Sequence, residues 1–187
     1  MPRLNVILAS TRPNRAGASV ARWFMRAAAE HGGFDSHLID LADLALPFLD
    51  EPDAAIDGKP YRHEHTRRWS AISAAADAYA IVTPEYNQGY PAALKNALDY
   101  LFYEWNDKPV AFVTYGMSSG GLRAAHMLKP VVSALKMVPV AETVTIHLRQ
   151  ALDADGRLAP SQSMQNAAKN TLDELLRITP ALATLRS

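Results

Sequence analysis

The residues of this chain that are best suited to chemistry lie in the turn between Pro84 and Pro91. An apolar run from Tyr79 to Val82 precedes the turn and predicts a strand that is buried on both faces. The turn carries a carboxylate, an aromatic ring, two amides and a glycine, in the order Glu85, Tyr86, Asn87, Gln88, Gly89. Ligands bind beyond the carboxyl ends of the strands in an open parallel sheet, so this turn is a candidate binding site. The same residue types also suit an ordinary connection between a strand and a helix.

A hydroxyl-rich loop follows the first predicted strand, Leu4 to Ala9, and leads into a predicted helix. Its hydroxyl and basic groups include those of Ser10, Thr11, Arg12 and Ser19. Backbone N–H groups at a helix N-terminus attract anions and nearby hydroxyls donate to them, so the loop predicts a phosphate site. The alternative is that Ser19 only caps the helix and that the arginines are solvated. The loop has neither the Walker pattern nor the G-x-G-x-x-G dinucleotide pattern.

A glycine-rich loop follows the fourth predicted strand, Pro109 to Tyr115, and runs from Gly116 to Arg123. Its three glycines and two serines, which include Ser118 and Gly120, allow the backbone to approach a flat ligand closely. One of the three loops therefore suits a phosphate and two suit a planar ring. This division matches the two parts of flavin mononucleotide (FMN).

The elements that must position these loops alternate between strands and helices. Apolar runs predict strands near residues 4–9, 35–39, 79–82, 109–115 and 144–147. The order favours an α/β fold, a flavodoxin-like doubly wound five-stranded parallel sheet with strand order 2-1-3-4-5 and helices on both faces. Right-handed crossovers would then place the ends of strands one, three and four around one crevice. The length suits a single domain over residues 1–187.

Two further segments, a long connection and the last helix, complete the predicted architecture. The connection from Leu41 to Lys59 is long and rich in Pro and Asp, which is typical of a lid or a partner contact. The last helix is predicted from about Ser161 to Ile178, and Pro180 is expected to end it.

Composition and charge exclude several classes of function. Nineteen basic and nineteen acidic residues give no net charge, so we expect neither a nucleic acid nor an anionic membrane as partner. The chain has no cysteine, hence no thiolate nucleophile and no cysteine metal site. His63 and His65 do not share a helix face and make a poor metal site. No signal peptide or membrane span is evident, so we expect a cytoplasmic protein.

With the three loops together, the chain resembles the NADPH-dependent FMN reductase family, which includes flavodoxin-like quinone, azo and chromate reductases. The strongest element is Thr83 to Asn87 leading into the helix from Pro91 to Asp99. The loop from Ser10 to Ser19 is similar to the family's phosphate loop, with Ala9 where glycine is usual. The resemblance covers roughly Arg3 to Leu176.

The resemblance implies FMN and NADPH (or NADH) as cofactors. A hydride would pass from NAD(P)H to FMN and on to a small-molecule acceptor, a quinone, free flavin, azo compound or metal oxyanion, in a ping-pong cycle. The phosphate and ribityl contacts would come from Ser10, Thr11, Arg12 and Ser19. The ring contacts would come from Pro84, Glu85, Tyr86 and Asn87, largely through backbone N–H groups, and from Gly116, Ser118 and Gly120.

No catalytic side chain is assigned, because the flavin carries the chemistry. Glu85 could instead act as a general acid, although local hydrogen bonding is the favoured role. The resemblance also implies a homodimer or homotetramer. The aromatic residues Tyr100, Phe102, Tyr103 and Trp105 could form its interface or fill the core.

Two other functions compete with the reductase. A flavodoxin-like electron carrier, or an FMN-binding module without its own NAD(P)H oxidation, is the alternative, but such carriers are usually acidic and this chain is neutral. A hydrolase would need a G-x-S-x-G nucleophile elbow, which the sequence lacks.

Overall fold

A five-stranded parallel sheet forms the centre of the computed structural model, which describes residues 1–153, 155 and 157–186. The strands lie in the order β2-β1-β3-β4-β5, as the sequence predicts. They are β1 (Arg3–Leu8), β2 (Asp35–Asp40), β3 (Ala78–Pro84), β4 (Pro109–Gly116) and β5 (Val138–His147). Because β1 lies beside β3 and β3 beside β4, the loops after these three strands share one edge of the sheet.

Helices cover both faces of the sheet. They are α1 (Gly17–His31), α2 (Leu41–Leu44), α3 (Glu64–Ala74), α4 (Ala92–Asp99), α5 (Leu122–Ala134), α6 (Leu148–Ala151) and α7 (Gln162–Ala183), with 3₁₀ turns at Ala55–Asp57 and Tyr103–Trp105. Side chains alternate between the faces along each strand. In β1, Val6 and Leu8 pack in the core under α1 and α7, whereas Ile7 packs in the core under α3, α4 and α5.

The last helix and β5 both extend well beyond their predicted bounds. The last helix does not end at Pro180 but continues to Ala183. A proline removes one helical donor, and here the helix keeps packing through Leu175 and Thr179, whose hydroxyl donates to the Leu175 carbonyl (2.6 Å). Strand β5 is longer than the predicted four residues because it is an edge strand, where exposed residues interrupt the apolar run and Pro139 is tolerated.

The aromatic cluster after α4 is divided between core and surface. Tyr100 and Trp105 are buried, and the ring of Trp105 contacts Tyr79 at 5.0 Å between centroids. Tyr103 remains exposed and donates its hydroxyl to the Ile56 carbonyl (2.8 Å). The core interpretation is therefore right for Tyr100 and Trp105.

Within the described residues, no helix is both long enough and apolar enough to cross a bilayer.

A buried lysine closes the end of the sheet that lies opposite the three loops. Lys108, only 5% exposed, donates from Nζ to the carbonyls of Ser73 (3.0 Å) and Ala74 (3.1 Å) at the end of α3. Both carbonyls belong to the last turn of α3, where C=O groups lack the usual helical donors, and the Ser73 carbonyl also accepts from the Ala76 N–H (3.2 Å) and the Tyr79 hydroxyl (2.6 Å). The ammonium group therefore caps α3 at the cost of its own hydration.

The pKa of Lys108 gives this arrangement a measurable consequence. Burial lowers the pKa from its ordinary 10.5 to about 8, helped by Arg186 and opposed by Asp77 and Glu104. Between these two pKa values the unfolded chain binds the proton and the folded chain does not, so stability rises with pH. We expect a rise on the order of 1–2 kcal/mol across this window, and Lys108→Met should lack it. Urea unfolding of both proteins across the window measures the difference, and parallel pH profiles would contradict this account.

Candidate functional site

A cleft of about 380 Å³ lies at the carboxyl edge of the sheet, where the three predicted loops meet. It is lined by Arg12, Asn14, Arg15, Ala16, Pro84, Glu85, Tyr86, Tyr115, Gly116, Met117 and Leu148. Five of the predicted site residues are in this lining: Arg12, Pro84, Glu85, Tyr86 and Gly116. Thr11 instead lines a neighbouring cavity of about 370 Å³ between α2 and α4.

The first loop ends at a helix terminus that has no side-chain cap. Helix α1 begins at Gly17 after Ala16, so Ser19 lies in its first turn and the interpretation of Ser19 as N-cap is wrong. In the described part of the chain, the N–H groups of Gly17 and Ala18 make no hydrogen bond to the backbone or to a side chain. Such a terminus attracts an anion through its free donors and its dipole.

Two arginines lie beside this terminus, and they differ in whether their charge is paired. Arg15 forms an ion pair with Asp40, whose other oxygen accepts from the Ala42 N–H (2.9 Å). Arg12 is exposed, and the described residues offer it no ion-pair partner. Of the two, Arg12 is therefore the one whose charge is available to a bound anion.

Ser10 connects the first loop to the second. The sequence predicts a phosphate contact for Ser10, but this residue is fully buried, and its hydroxyl shares a hydrogen bond with the hydroxyl of Tyr86 (2.8 Å). The bond fixes the Tyr86 ring against the end of β1. Ser10 thus acts on the cleft through Tyr86.

The second loop is a tight hairpin turn. Tyr86 and Gly89 exchange both backbone hydrogen bonds (2.8 and 3.0 Å), and Asn87 and Gln88 between them have φ of +51° and +69°. The Glu85 N–H donates to the Tyr115 carbonyl (3.0 Å). The N–H groups of Glu85 and Tyr86 therefore already donate within the chain and are not free to donate to a ring. Pro84, Glu85 and Tyr86 are the residues of this loop that line the cleft.

The carboxylate of Glu85 ties the second loop to the third. Its Oε2 accepts from the Ser119 hydroxyl and from the Arg123 N–H (3.0 Å), and its Oε1 accepts from Arg123 Nη1 (2.9 Å). Burial by itself would raise the pKa of Glu85, but the hydrogen bonds from Ser119 and Arg123 lower it below the ordinary value. A carboxylate that stays ionised, with both oxygens engaged, is suited to local hydrogen bonding and not to a general acid.

The third loop packs so closely against β4 that it requires glycine. Gly121 has φ of +89°, and a Cβ added there would lie 2.6 Å from the Thr114 Cβ and from the Tyr115 nitrogen. The carbonyl of Gly120 accepts from the Thr114 hydroxyl (3.0 Å), so Gly120 is buried outside the cleft lining. Ser118 is exposed and takes no part in the hydrogen bonds of the described chain, whereas its neighbour Ser119 holds Glu85.

Sequence reasoning missed several residues of the lining: Asn14, Arg15, Ala16, Tyr115, Met117 and Leu148. Three of the six lie within two positions of a predicted residue: Asn14, Tyr115 and Met117. Tyr115 ends β4 at the ligand edge, a position that could have indicated it. Leu148 follows β5 and has no signal in the sequence.

The comparisons with known proteins agree with this arrangement. The model of the NADPH-dependent FMN reductase family matches residues 2–151, a range that includes all three loops. The chain belongs to the NADPH-dependent FMN reductase family. An NAD(P)H-dependent FMN reductase of Schizosaccharomyces pombe is 44% identical over 137 residues, covering 73% of this chain and 68% of that protein. The NAD(P)H-dependent FMN reductase LOT6 of Saccharomyces cerevisiae is 37% identical over 145 residues, 72% of this chain and 75% of its own.

Solved structures of other proteins have the same fold as this chain. FerB, a flavoenzyme NAD(P)H:(acceptor) oxidoreductase from Paracoccus denitrificans, aligns with a TM-score of 0.75 at 23% identity, covering 95% of this chain and 98% of its own. The predicted family, the flavodoxin-like fold and the class of NAD(P)H- and FMN-dependent oxidoreductases are confirmed.

The residues of the cleft fit FMN. The uncapped start of α1 and the free Arg12 suit a phosphate, which carries negative charge and acceptor oxygens. Pro84, the Tyr86 ring and the backbone at Gly116 and Met117 offer flat or small surfaces to a ring system.

Proposed function

We propose that the cleft holds FMN, with Arg12 and the start of α1 at the phosphate and with Pro84, Tyr86 and Gly116 beside the ring. The observation that carries this proposal is the meeting, in one cleft, of an uncapped helix N-terminus, an arginine with no ion-pair partner among the described residues, and two ring-type loops. Thr11, Ser19, Asn87, Ser118 and Gly120, which the sequence also predicts as contacts, lie outside this lining. Their proposed role is to shape the loops.

The proposed reaction passes a hydride from NADPH or NADH to an acceptor. The chemistry that bound FMN supplies is the acceptance of this hydride and its release to a second substrate. The protein holds the phosphate charge, keeps the Glu85 carboxylate engaged with Ser119 and Arg123, and orients the ring against Tyr86. For a quinone the balance is NAD(P)H plus quinone plus one proton, giving NAD(P)⁺ and hydroquinone.

The proposed acceptors are small molecules, such as quinones, free flavins, azo compounds or metal oxyanions. Related proteins include an NADPH azoreductase from a Bacillus species and a 2-hydroxy-1,4-benzoquinone reductase from a Burkholderia species. The half-exposed Met117 gives the cleft a flexible apolar wall that suits planar acceptors of different shape.

Initial rates with NADPH and a simple benzoquinone test this function. If the acceptor takes the place of NADP⁺, double-reciprocal plots at several quinone concentrations are parallel. Turnover with intersecting lines would contradict the ping-pong cycle. Binding of FMN without turnover of any acceptor class would instead favour the electron carrier.

We also infer that residues 1–187 form one FMN-binding domain that assembles into a homodimer or homotetramer. Phe48, Leu49 and Ile56 expose apolar side chains on the connection after α2, and Phe48 is 87% exposed, which supports a contact surface there. Light scattering after size exclusion tests the assembly, and a monomer at micromolar concentration would contradict it. The proposed location is the cytoplasm, which suits a chain without cysteine.

A further inference from the structure

The hydroxyl of Tyr115 is buried without a partner at the cleft. Tyr115 is 4% exposed, and its oxygen makes no hydrogen bond to any described residue. The Ser10 hydroxyl is near enough to lower the pKa of Tyr115, but it is not in hydrogen-bond geometry with the Tyr115 oxygen and shares its hydrogen bond with Tyr86. A buried donor that lacks an acceptor is rare in folded proteins and unfavourable.

The Tyr115 hydroxyl lies against the start of α1. A Cβ added to Gly17, the first residue of that helix, would lie 2.2 Å from the Tyr115 oxygen. The free N–H groups of the first helical turn and the Tyr115 hydroxyl therefore stand next to each other. Tyr115 also shares the cleft lining with Arg12 and Arg15.

The protonation state of this hydroxyl makes it a donor. Burial raises the pKa of Tyr115 above its ordinary 10.0, Tyr86 adds to the rise, and the nearby Ser10 and Arg15 offset it only in part. At neutral pH the group carries its proton, and its oxygen lies beside the N–H groups at the start of α1 and shares the cleft lining with Arg12 and Arg15. An anion with several acceptor oxygens is the ligand that satisfies all of these donors at once.

We propose that the Tyr115 hydroxyl donates a hydrogen bond to the phosphate of FMN and thereby makes the cleft select FMN over riboflavin. This inference rests on the proposed function, because it assumes that FMN occupies the cleft. Riboflavin has the same ring and ribityl chain but no phosphate, so it separates a phosphate contact from contacts to the rest of the flavin.

Titration of FMN-free Tyr115→Phe with FMN and with riboflavin tests the proposal. We expect FMN affinity to fall about 10-fold or more, and riboflavin affinity to stay within about 2-fold of wild type. The melting temperature of the FMN-free variant should equal or exceed that of wild type, because the substitution removes an unpaired buried donor. Gly17→Ala, which displaces the hydroxyl, should show the same selective loss for FMN.

Tyr79→Phe is the matched control. The Tyr79 hydroxyl is also buried but donates to the Ser73 carbonyl (2.6 Å), away from the cleft lining. Its removal should lower the melting temperature and leave the affinity for FMN unchanged.

Three results would overturn the inference. Unchanged FMN affinity in Tyr115→Phe would show that the hydroxyl does not contact the cofactor. An equal loss for FMN and riboflavin would place the contact on the shared part of the flavin. A lower melting temperature of FMN-free Tyr115→Phe would show that the hydroxyl has a partner within the protein. Wild-type protein that binds no FMN would overturn the proposed function itself, which distinguishes the two failures.

Discussion

Replacement of Arg12 by Ala is expected to weaken FMN binding by about 10- to 100-fold. Arg12 is exposed at the cleft, the described residues leave it without an ion-pair partner, and it stands beside the uncapped start of α1. A charge-assisted hydrogen bond to a phosphate contributes about 1.5–3 kcal/mol, which corresponds to this change in affinity. Titration of FMN-free protein by flavin fluorescence measures it.

Arg68 provides the control for this prediction. It is also exposed, but it lies on α3 and outside the cleft lining. Arg68→Ala should bind FMN as wild type does, because only the local cation is expected to matter at physiological salt. If Arg12→Ala kept wild-type affinity, the phosphate would not bind at the start of α1.

Replacement of Glu85 by Gln is expected to destabilise the protein by about 1.5–3 kcal/mol near neutral pH. The carboxylate accepts three hydrogen bonds from Ser119 and Arg123 and is only 8% exposed, so the amide would lose charge-assisted bonds in a buried place. Urea unfolding of FMN-free protein measures the change. Ser118→Ala is the control, because Ser118 makes no hydrogen bond within the described chain.

The free energies of unfolding of wild type and Glu85→Gln should converge at acid pH. The folded-state pKa of Glu85 lies below its ordinary 4.5, so the unfolded chain takes up the proton first as the pH falls. The contribution of Glu85 is therefore complete above about pH 4.5 and lost as the pH falls through the folded-state pKa. If Glu85 acted as a general acid, the Gln variant would instead keep its stability and lose turnover.

The strand order and the position of the site follow from patterns that are strong in the sequence. Five apolar runs separated by helical periodicity leave few arrangements of a parallel sheet, and right-handed crossovers then bring the ends of β1, β3 and β4 together. Residue types at these ends indicated two ring-type loops and one anion-type loop. Arg12, Pro84, Tyr86 and Gly116 lie in the cleft for this reason.

Roles of individual loop residues were harder to predict, because a shift of one residue in a loop changes which side chain faces the site. Ser118 and Ser119 are equivalent by type, yet only Ser119 reaches Glu85. The N-cap alternative for Ser19 fails because α1 begins at Gly17, after Ala16, which offers no side-chain cap. This missing cap is itself informative, since a bound anion can take its place. The pairing of Ser10 with Tyr86 depends on tertiary packing, which no local pattern encodes.

Anaerobic addition of NADPH to the FMN-loaded protein tests the central claim most directly. We expect the visible absorbance of the bound flavin to bleach with about one equivalent of NADPH and to return when a quinone is added. NADH serves as the second donor in the same experiment. A bound flavin that stays oxidised with both NADPH and NADH would contradict the reductase and leave an electron carrier on the same fold.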